Sequence, residues 1–575
     1  MADSTASASI THANNVPQDN AASTSTATVN EAAHFAKTSR GRDFWLSFSA
    51  IVVTNLLSAL DLTAIATILP TLTADLNGGD EFTWVGSAYA LSSTAILPLI
   101  GGLADSFGRK PVMVCCVVLF AIGSALAASA QNMHWMIGAR TVQGLGGGGI
   151  QTLTNIITSD LVPLSERGAY QGVIGLTVAL ASGIGPPIGG ALAEKASWRW
   201  LFYMNLPLCG ISLALLVFFL KVRTPPGTIK EKLSKIDWIG NLIIISGTTL
   251  AMVGLSWGGA RFPWTDAHVL APLILGLVII VIFCLFEVYV AKNPTVPLRV
   301  LANRTTASGY ATSAVHGITS ISIIYYLPIY FQAVLGASPI RSGVDFLATA
   351  LLITPFALIC GIVVKVTKKY RPINYAGWVM MTAGFGLLSL LRANSNVAHW
   401  IGYQILVSAG IGIVFSSTIF PVLAPLPVSL TASALSFFNF VRAFTETWGI
   451  TISSTILQNQ LKKNLPTAFT SQFPEGSEIA YAAIPAIPKL PEPLQTEVKV
   501  AFAASMSVIW KTMIGFSGLG LLLLLFMKEI PMSETADDKF GLDISEKETV
   551  VQLTTLVSGE LESKTQKSAD ARAIV

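Results

Sequence analysis

The chain has 575 residues, 52% of them hydrophobic and 12% charged, with a mean hydropathy of +0.62. Soluble domains carry about 25% charged residues, so half that share, spaced by long uncharged runs, excludes a soluble globular protein and indicates a polytopic membrane protein. The net charge of +4, from 36 basic and 32 acidic residues, is too small to suggest a nucleic-acid partner.

Residues 1–43 are mostly Ser, Thr, Ala and Asn, and are expected to form a disordered cytoplasmic N-terminus. The first apolar run starts at Phe44, so that span is expected to act as its own insertion signal. About fourteen segments then reach the ~20 residues a spanning helix needs. They run over 44–72, 84–104, 112–130, 135–160, 170–193, 199–220 and 237–257, then 269–290, 305–333, 344–366, 373–391, 399–424, 431–457 and 507–527. The spans starting at 135 and 399 hold enough Gly and polar residues that they are expected to face protein rather than lipid. The linking segments set the orientation. One side collects Arg109, Lys110, Arg167, a basic run from Lys221 to Lys235, and Lys365 to Arg371. The short loops of the other side hold Lys195, Arg199, Arg261, Arg341 and Arg392. That bias places both termini in the cytoplasm. The triplet Asn303-Arg304-Thr305 then lies inside and is expected to carry no glycan.

Residues 458–506 are polar and proline-rich and read as a long extracellular loop, either a plain connector or a short lid built on Ile484–Pro491. The tail 531–575 is polar and is expected to be a disordered cytoplasmic end. The five cysteines, Cys115, Cys116, Cys209, Cys284 and Cys360, all fall in apolar segments without metal-ligand spacing. They read as small buried hydrophobes, and neither a cofactor nor a metal is indicated. No Walker loop, G-x-S-x-G or H-E-x-x-H is present, which argues against an ATP-driven pump and against an enzyme.

Five stretches carry more specific information. Gly101-Gly102-Leu103-Ala104-Asp105-Ser106-Phe107-Gly108-Arg109-Lys110 joins two spans and resembles the signature loop between helices 2 and 3 of major facilitator transporters. Leu60-Asp61-Leu62-Thr63 through Pro70 resembles the first-span signature of that superfamily's fourteen-helix drug:proton antiporters. Arg140-Thr141-Val142-Gln143-Gly144, Gly183-Ile184-Gly185-Pro186-Pro187-Ile188-Gly189-Gly190 and Trp198-Arg199-Trp200-Leu201-Phe202-Tyr203-Met204-Asn205-Leu206-Pro207 resemble further motifs of the same branch. After the tenth span, 361–372 weakly echoes the opening loop without its aspartate. The resemblance implies an all-α major facilitator fold with about 14 transmembrane helices. It would comprise a six-helix bundle over 44–220, a basic linker and two inserted helices over 221–304, and a second bundle over 305–530.

The residues and the resemblance together give a set of roles. A carboxyl inside an apolar span is costly when charged and can serve as a proton carrier, so Asp61, tuned by Arg140, is the expected coupling site; a structural aspartate bonded to nearby hydroxyls is the alternative. Arg442 and Glu446 stand i, i+4 in one span and can pair. Glu446 is read as a second proton site, part of substrate selection, or a structural acid. Arg140, Gln143, Arg442 and Tyr326 are candidates for holding substrate, while His316, Tyr325 and Tyr330 are weaker. Gly185, Pro186, Pro187, Gly189 and Gly190 read as a hinge in the fifth span. Gly101, Asp105, Gly108, Arg109 and Asp160 read as a conformational latch, with Arg109 reaching Asp160 and Asp105 facing the helix start at Thr431. Because the echo at 361–372 lacks the acid, the latch is expected to be one-sided. The resulting expectation is a monomeric, proton-coupled plasma-membrane exporter of a secondary metabolite, toxin or drug. Its partners would be a small-molecule substrate, protons and the bilayer. The alternatives are an organic-acid exporter, a vacuolar solute importer and a nutrient sensor that has lost turnover.

Overall fold

The computed structural model describes residues 41–76, 83–258, 262–470, 484 and 487–532. The expectations for 1–40, Arg261, Pro485 and 533–575 fall outside those residues. Contacts separate the chain ends, Met1–Trp45 and Asp543–Val575, from one body, Leu46–Leu542. Of the ends, only 41–45 and thus the first turn of α1 is described.

Among the described residues, fourteen helices have 18 residues or more. The first eight are α1 Arg42–Asp75, α2 Thr83–Phe107, α3 Arg109–Ala128, α4 Met133–Leu161, α5 Leu164–Lys195, α6 Arg199–Phe219, α7 Trp238–Trp257 and α8 Ala267–Tyr289. The rest are α9 Arg304–Ala333, α10 Pro339–Thr367, α11 Arg371–Leu388, α12 Val397–Ser417, α13 Thr431–Asn464 and α14 Leu494–Leu523. Several starts are fixed by side chains that accept a free backbone N–H in the first turn. Asn132 accepts from Trp135, Asp237 from Gly240, Asn303 from Thr305, Ser338 from Arg341 and Asn396 from His399. Among the described residues, eleven helices are long and apolar enough to cross a membrane. α4, α11 and α13 fall short by composition, because they carry residues such as Arg140, Asn374 and Arg442.

The stretch 458–506 is less of a loop than its composition suggests. α13 continues to Asn464 and α14 starts at Leu494, so helix occupies both ends of it. Its flanks, Gln458-Asn459-Gln460-Leu461-Lys462-Lys463 and Leu494-Gln495-Thr496-Glu497-Val498-Lys499, are good helix formers; Leu461 and Val498 point inward. The cysteine reading needs a similar correction. Cys116, Cys209 and Cys360 are buried, but Cys115 and Cys284 are exposed on the helix bundle's outer face.

Helices α1–α6 pack among themselves. α3 lies on α4 and α6, and α2 on α4. α1 is tied to α6 by Thr54 and Ser212 at 2.6 Å, and to α5 by Asn55 and Thr177 at 2.7 Å. Helices α9–α14 do likewise: α9 contacts α13 and α14, α12 contacts α10 and α11, and α11 contacts α14. The groups are joined chiefly by α2 with α13 and α5 with α10, and more lightly by α4 with α13 and α5 with α12. The hairpin α7–α8 leans on this body through α7, where Ile244 and the α8 residue Phe283 pack with Leu97 of α2 and Phe440 of α13. Burial differs sharply across the molecule: 78% of the α12 window is buried, against 17% for α8. α12 is thus a protein-facing helix, and α8 presents Ile274, Val278, Val281 and Leu285 outward.

Candidate functional site

Three polar assemblies among the described residues hold the candidate side chains. The first is closed. Asp61 of α1 and Arg140 of α4 are both fully buried, with Asp61 Oδ2 2.7 Å from Arg140 Nη1. Moving an ion out of water costs several kcal/mol, and an isolated pair would not recover that. Here the carboxylate has further donors: Gln143 Nε2 donates to Asp61 Oδ1 at 3.0 Å, and Asn205 Nδ2 of α6 at 2.7 Å. Gln143 also accepts from Arg140 at 2.6 Å and donates to Ser124 of α3 at 2.9 Å. Arg140 Nε donates to the Val85 carbonyl, and its guanidinium lies 4.5 Å from the centre of the Tyr89 ring. Its Nη2 has no hydrogen-bond partner among the described residues, so the face of Tyr89 is what offsets that part of the charge. Glycines of α4 make the approach possible: Gly144 stands against Ser92 and the Tyr89 backbone, and Gly147 against the Tyr89 hydroxyl.

The second assembly is open. A cavity of about 170 Å³ lies between α1, α2, α4 and α5 on one side and α12 and α13 on the other. Amides line it and connect across it: Gln171 Nε2 donates to Asn155 Oδ1 at 3.1 Å, and Asn155 Nδ2 to Asn439 Oδ1 at 3.2 Å. Asn439 Nδ2 has no partner among the described residues. Arg442 and Glu446 are both in the wall, with Nε 3.5 Å from Oε1. The Arg442 guanidinium stacks over Phe415 at 3.9 Å.

The structure therefore divides the candidates. Arg442 and Glu446 share the cavity wall, whereas Asp61, Arg140 and Gln143 form the enclosed cluster. Tyr326 and Tyr330 are buried, with hydroxyls donating to the carbonyls of Ile450 and Arg392, while Tyr325 is half exposed. His316 is buried with Nε2 3.1 Å from the Ile411 carbonyl oxygen.

The third assembly lies where the helices carry the basic residues. Arg109 Nε meets Asp160 Oδ2 at 2.7 Å, and Nη1 meets Asp105 Oδ1 at 2.9 Å. Gly108 precedes α3 at φ 93, a conformation that suits glycine, and a Cβ there would stand 3.1 Å from Pro225. One turn before Asp105, Gly101 lies against α13: a Cβ would be 2.7 Å from Ser436 Oγ and 3.2 Å from the Ala432 carbonyl. The 361–372 echo also makes a contact between the two helix groups, contrary to the one-sided expectation. The Gly361 backbone meets that of Gly168 on α5, and Lys365 Nζ stands 3.5 Å from Glu166 Oε1. The acid missing from the echo is supplied by the helix opposite.

Two features complete the frame. In the fifth span, all of 181–190 is helical, Gly189 is buried, and Gly185 sits against Thr63, two residues after Asp61. Thr63 Oγ1 donates to the Ala181 carbonyl at 2.9 Å, so this helix touches α1 at the closed cluster. The side chains of Pro186 and Pro187, and Gly190, lie outside what the structure describes. At the far end, Arg199 Nη1 and Trp198 Nε1 both donate to Asp75 Oδ2, at 2.8 and 3.0 Å. Arg199 also donates to the Ala130 carbonyl, so the Trp-Arg-Trp run ties α1, α6 and the α3–α4 turn together. Composition alone marks those aromatics as a generic boundary belt; Trp200 fits that description, and Trp198 is buried instead.

The sequence places Asn205 in the Trp198–Pro207 run without a role for it, and does not single out Ser124. Asn205 is an amide inside an apolar segment, which is a usable signal; Ser124 has no signal beyond being small.

Comparison with known proteins adds the following. Residues 51–449 match the family model described as Major Facilitator Superfamily. The chain is 39% identical over 507 residues to the "Efflux pump FUS6" of Gibberella moniliformis, covering 87% of this chain and 90% of that one. It is 35% identical over 516 residues to the "Acurin A biosynthesis cluster MFS-type transporter" of Aspergillus aculeatus, covering 88% and 93%. Among solved structures, the human organic anion transporter MFSD10 superposes with a TM-score of 0.55 at 14% identity, over 84% of this chain and all of that one. At that identity the likeness concerns the fold.

Proposed function

The chain belongs to the Major Facilitator Superfamily, and from that membership we propose that it is a proton-coupled secondary transporter exporting a small organic molecule across the plasma membrane. It is a multi-pass membrane transporter and not an enzyme. Export of a secondary metabolite, toxin or drug is supported by relatives named as an efflux pump and as a biosynthesis-cluster transporter. In this reading α1–α6 and α9–α14 are the two halves, rocking about the cavity between them, and the protein works as a monomer with both termini cytoplasmic.

The observation that carries proton coupling is the Asp61 cluster: a buried carboxylate held by Arg140, Gln143 and Asn205 inside spanning helices. A carboxylate with three donors is far more than one helix contact requires, and those donors come from two other helices, α4 and α6. Asn55 in the cavity wall lies six residues before Asp61, about 9 Å along the same helix. A small shift of α1 therefore reaches both places. Asp61 takes a proton when Arg140 withdraws and releases it when the pair re-forms; Lys365 with Glu166, across the two helix groups, holds the basic side shut meanwhile, and Arg109 with Asp160 fixes the ends of α3 and α4 within one group. This is the outward-facing half of the cycle.

The test is flux in proteoliposomes. An imposed pH gradient is expected to drive accumulation of exported compounds taken from the producing cells' medium. Asp61→Asn is expected to abolish that accumulation while a thermal melt still shows a folded protein. Accumulation that ignores the gradient, or that survives Asp61→Asn, would sink the coupling assignment.

A further inference from the structure

We infer that the cavity takes an organic carboxylate, and that Arg442 rather than Arg140 is the residue that holds it. This rests on the export reading for its physiological meaning and on geometry for its chemistry. Of the two arginines, Arg140 is enclosed and already meets Asp61, Gln143 and the Val85 carbonyl. Arg442 stands in the cavity wall with 15% of its side chain exposed. Its only polar contact among the described residues is a single 3.5 Å approach from Nε to Glu446, so neither terminal nitrogen of the guanidinium has a hydrogen-bond partner. That is the planar donor edge a carboxylate engages with two parallel bonds. Stacking on Phe415 at 3.9 Å holds the plane in place.

Two further wall atoms are buried without a partner among the described residues: Asn439 Nδ2, a donor, and Ser416 Oγ, a hydroxyl that can donate as well as accept. The amide relay Gln171–Asn155–Asn439 ends at Asn439 Nδ2, a buried donor with no partner among the described residues, three residues before Arg442 and so on the same face of α13. A ligand rich in acceptors satisfies Arg442 and Asn439; a cation satisfies neither. Glu446 is the internal stand-in: it pairs Arg442 and must yield to the substrate. It is the freer of the two, with 36% of its side chain exposed. The remaining titratable groups near the pair are His316 and Tyr325 of α9, the first near Arg442 and the second near Glu446. Among the described residues, the α2, α4, α5 and α12 walls contribute no charge.

Hippurate, its methyl ester and benzyltrimethylammonium are suitable probes, because they share an aromatic ring and differ in charge. With the purified full chain in lipid nanodiscs, hippurate is expected to bind at least about tenfold tighter than the ester. Arg442→Gln is expected to remove that ratio, and Glu446→Gln to tighten hippurate several-fold. The opposite signs separate ligand competition from misfolding. Equal binding of acid and ester, preference for the cation, no binding of hippurate, or an acid preference that survives Arg442→Gln each overturn the assignment. Arg442-dependent hippurate binding with no gradient-driven flux removes export and leaves the acid site. Asp61-dependent flux of a neutral compound without acid preference does the reverse.

Discussion

At the scale of single residues, the enclosed cluster depends on partners that differ in how visible they are. Asp61 and Arg140 stand out in sequence because a charge in an apolar span is expensive, and the structure brings them to 2.7 Å. Asn205, 144 residues from Asp61, is equally close at 2.7 Å, yet an amide carries no charge to betray it. Asn205→Ala is expected to lower stability by about 1–2 kcal/mol, between the value for a hydrogen bond to a charged group and the smaller values found in membranes. Transport should fall about tenfold, measured as initial flux, and Ser124→Ala should do less because its hydroxyl is only a shared acceptor. Asp75 sits at the end of α1 and titrates differently. Hydrogen bonds from Arg199, then Trp198, hold its carboxyl below the ordinary value of 3.8. A lowered carboxyl stabilises the fold above its unfolded-state pKa and loses that contribution as pH falls through the folded one. Asp75→Asn is therefore expected to lower the melting temperature at pH 7, and the gap to the parent should close below about pH 3.8. With 49% of the side chain exposed the gap will be small. A gap that widens with acid would reverse the assignment.

At the scale of helices, period and apolar length were readable almost throughout, since spans that must satisfy every backbone group internally have one available form. The boundaries at 458 and 506 were not readable from prolines alone, because the flanking residues are helix formers and the breakers cluster between them. Which helices touch was less legible still. The amides of the cavity come from positions as far apart as Asn155 and Asn439, and nothing local announces their meeting. The contact of 361–372 with α5 is similar: its glycine and lysine were visible, but the answering Gly168 and Glu166 sit on another helix. The Arg109 bridges fix the ends of α2, α3 and α4 one turn from where Gly101 meets α13, so loosening them should slow the cycle without disturbing the cavity. Asp105→Asn weakens the Arg109 bridge, and is expected to lower the maximal rate several-fold with little change in the half-saturating substrate concentration. Weakened binding at an unchanged rate would place Asp105 in recognition instead.

At the scale of the whole molecule, the closed cluster, the cavity and the basic-side contacts lie on different helices but share α1, α4, α5 and α13. The inserted hairpin stands apart from that circuit. α7 takes the contacts with α2 and α13, while only 17% of the α8 window is buried.

That asymmetry bears on how the sequence can change over generations. A helix read almost entirely by lipid answers to one instruction, to be greasy for long enough. The order of its outward letters carries almost no information. Shuffling Ile274, Leu275, Val278, Val281, Ile282 and Leu285 of α8 among themselves is expected to leave flux and expression unchanged, whereas the same shuffle applied to buried α12 positions should abolish both. Lineages of this protein should therefore drift fastest along α8, and a fluorescent reporter built into that surface would watch the machine without joining it.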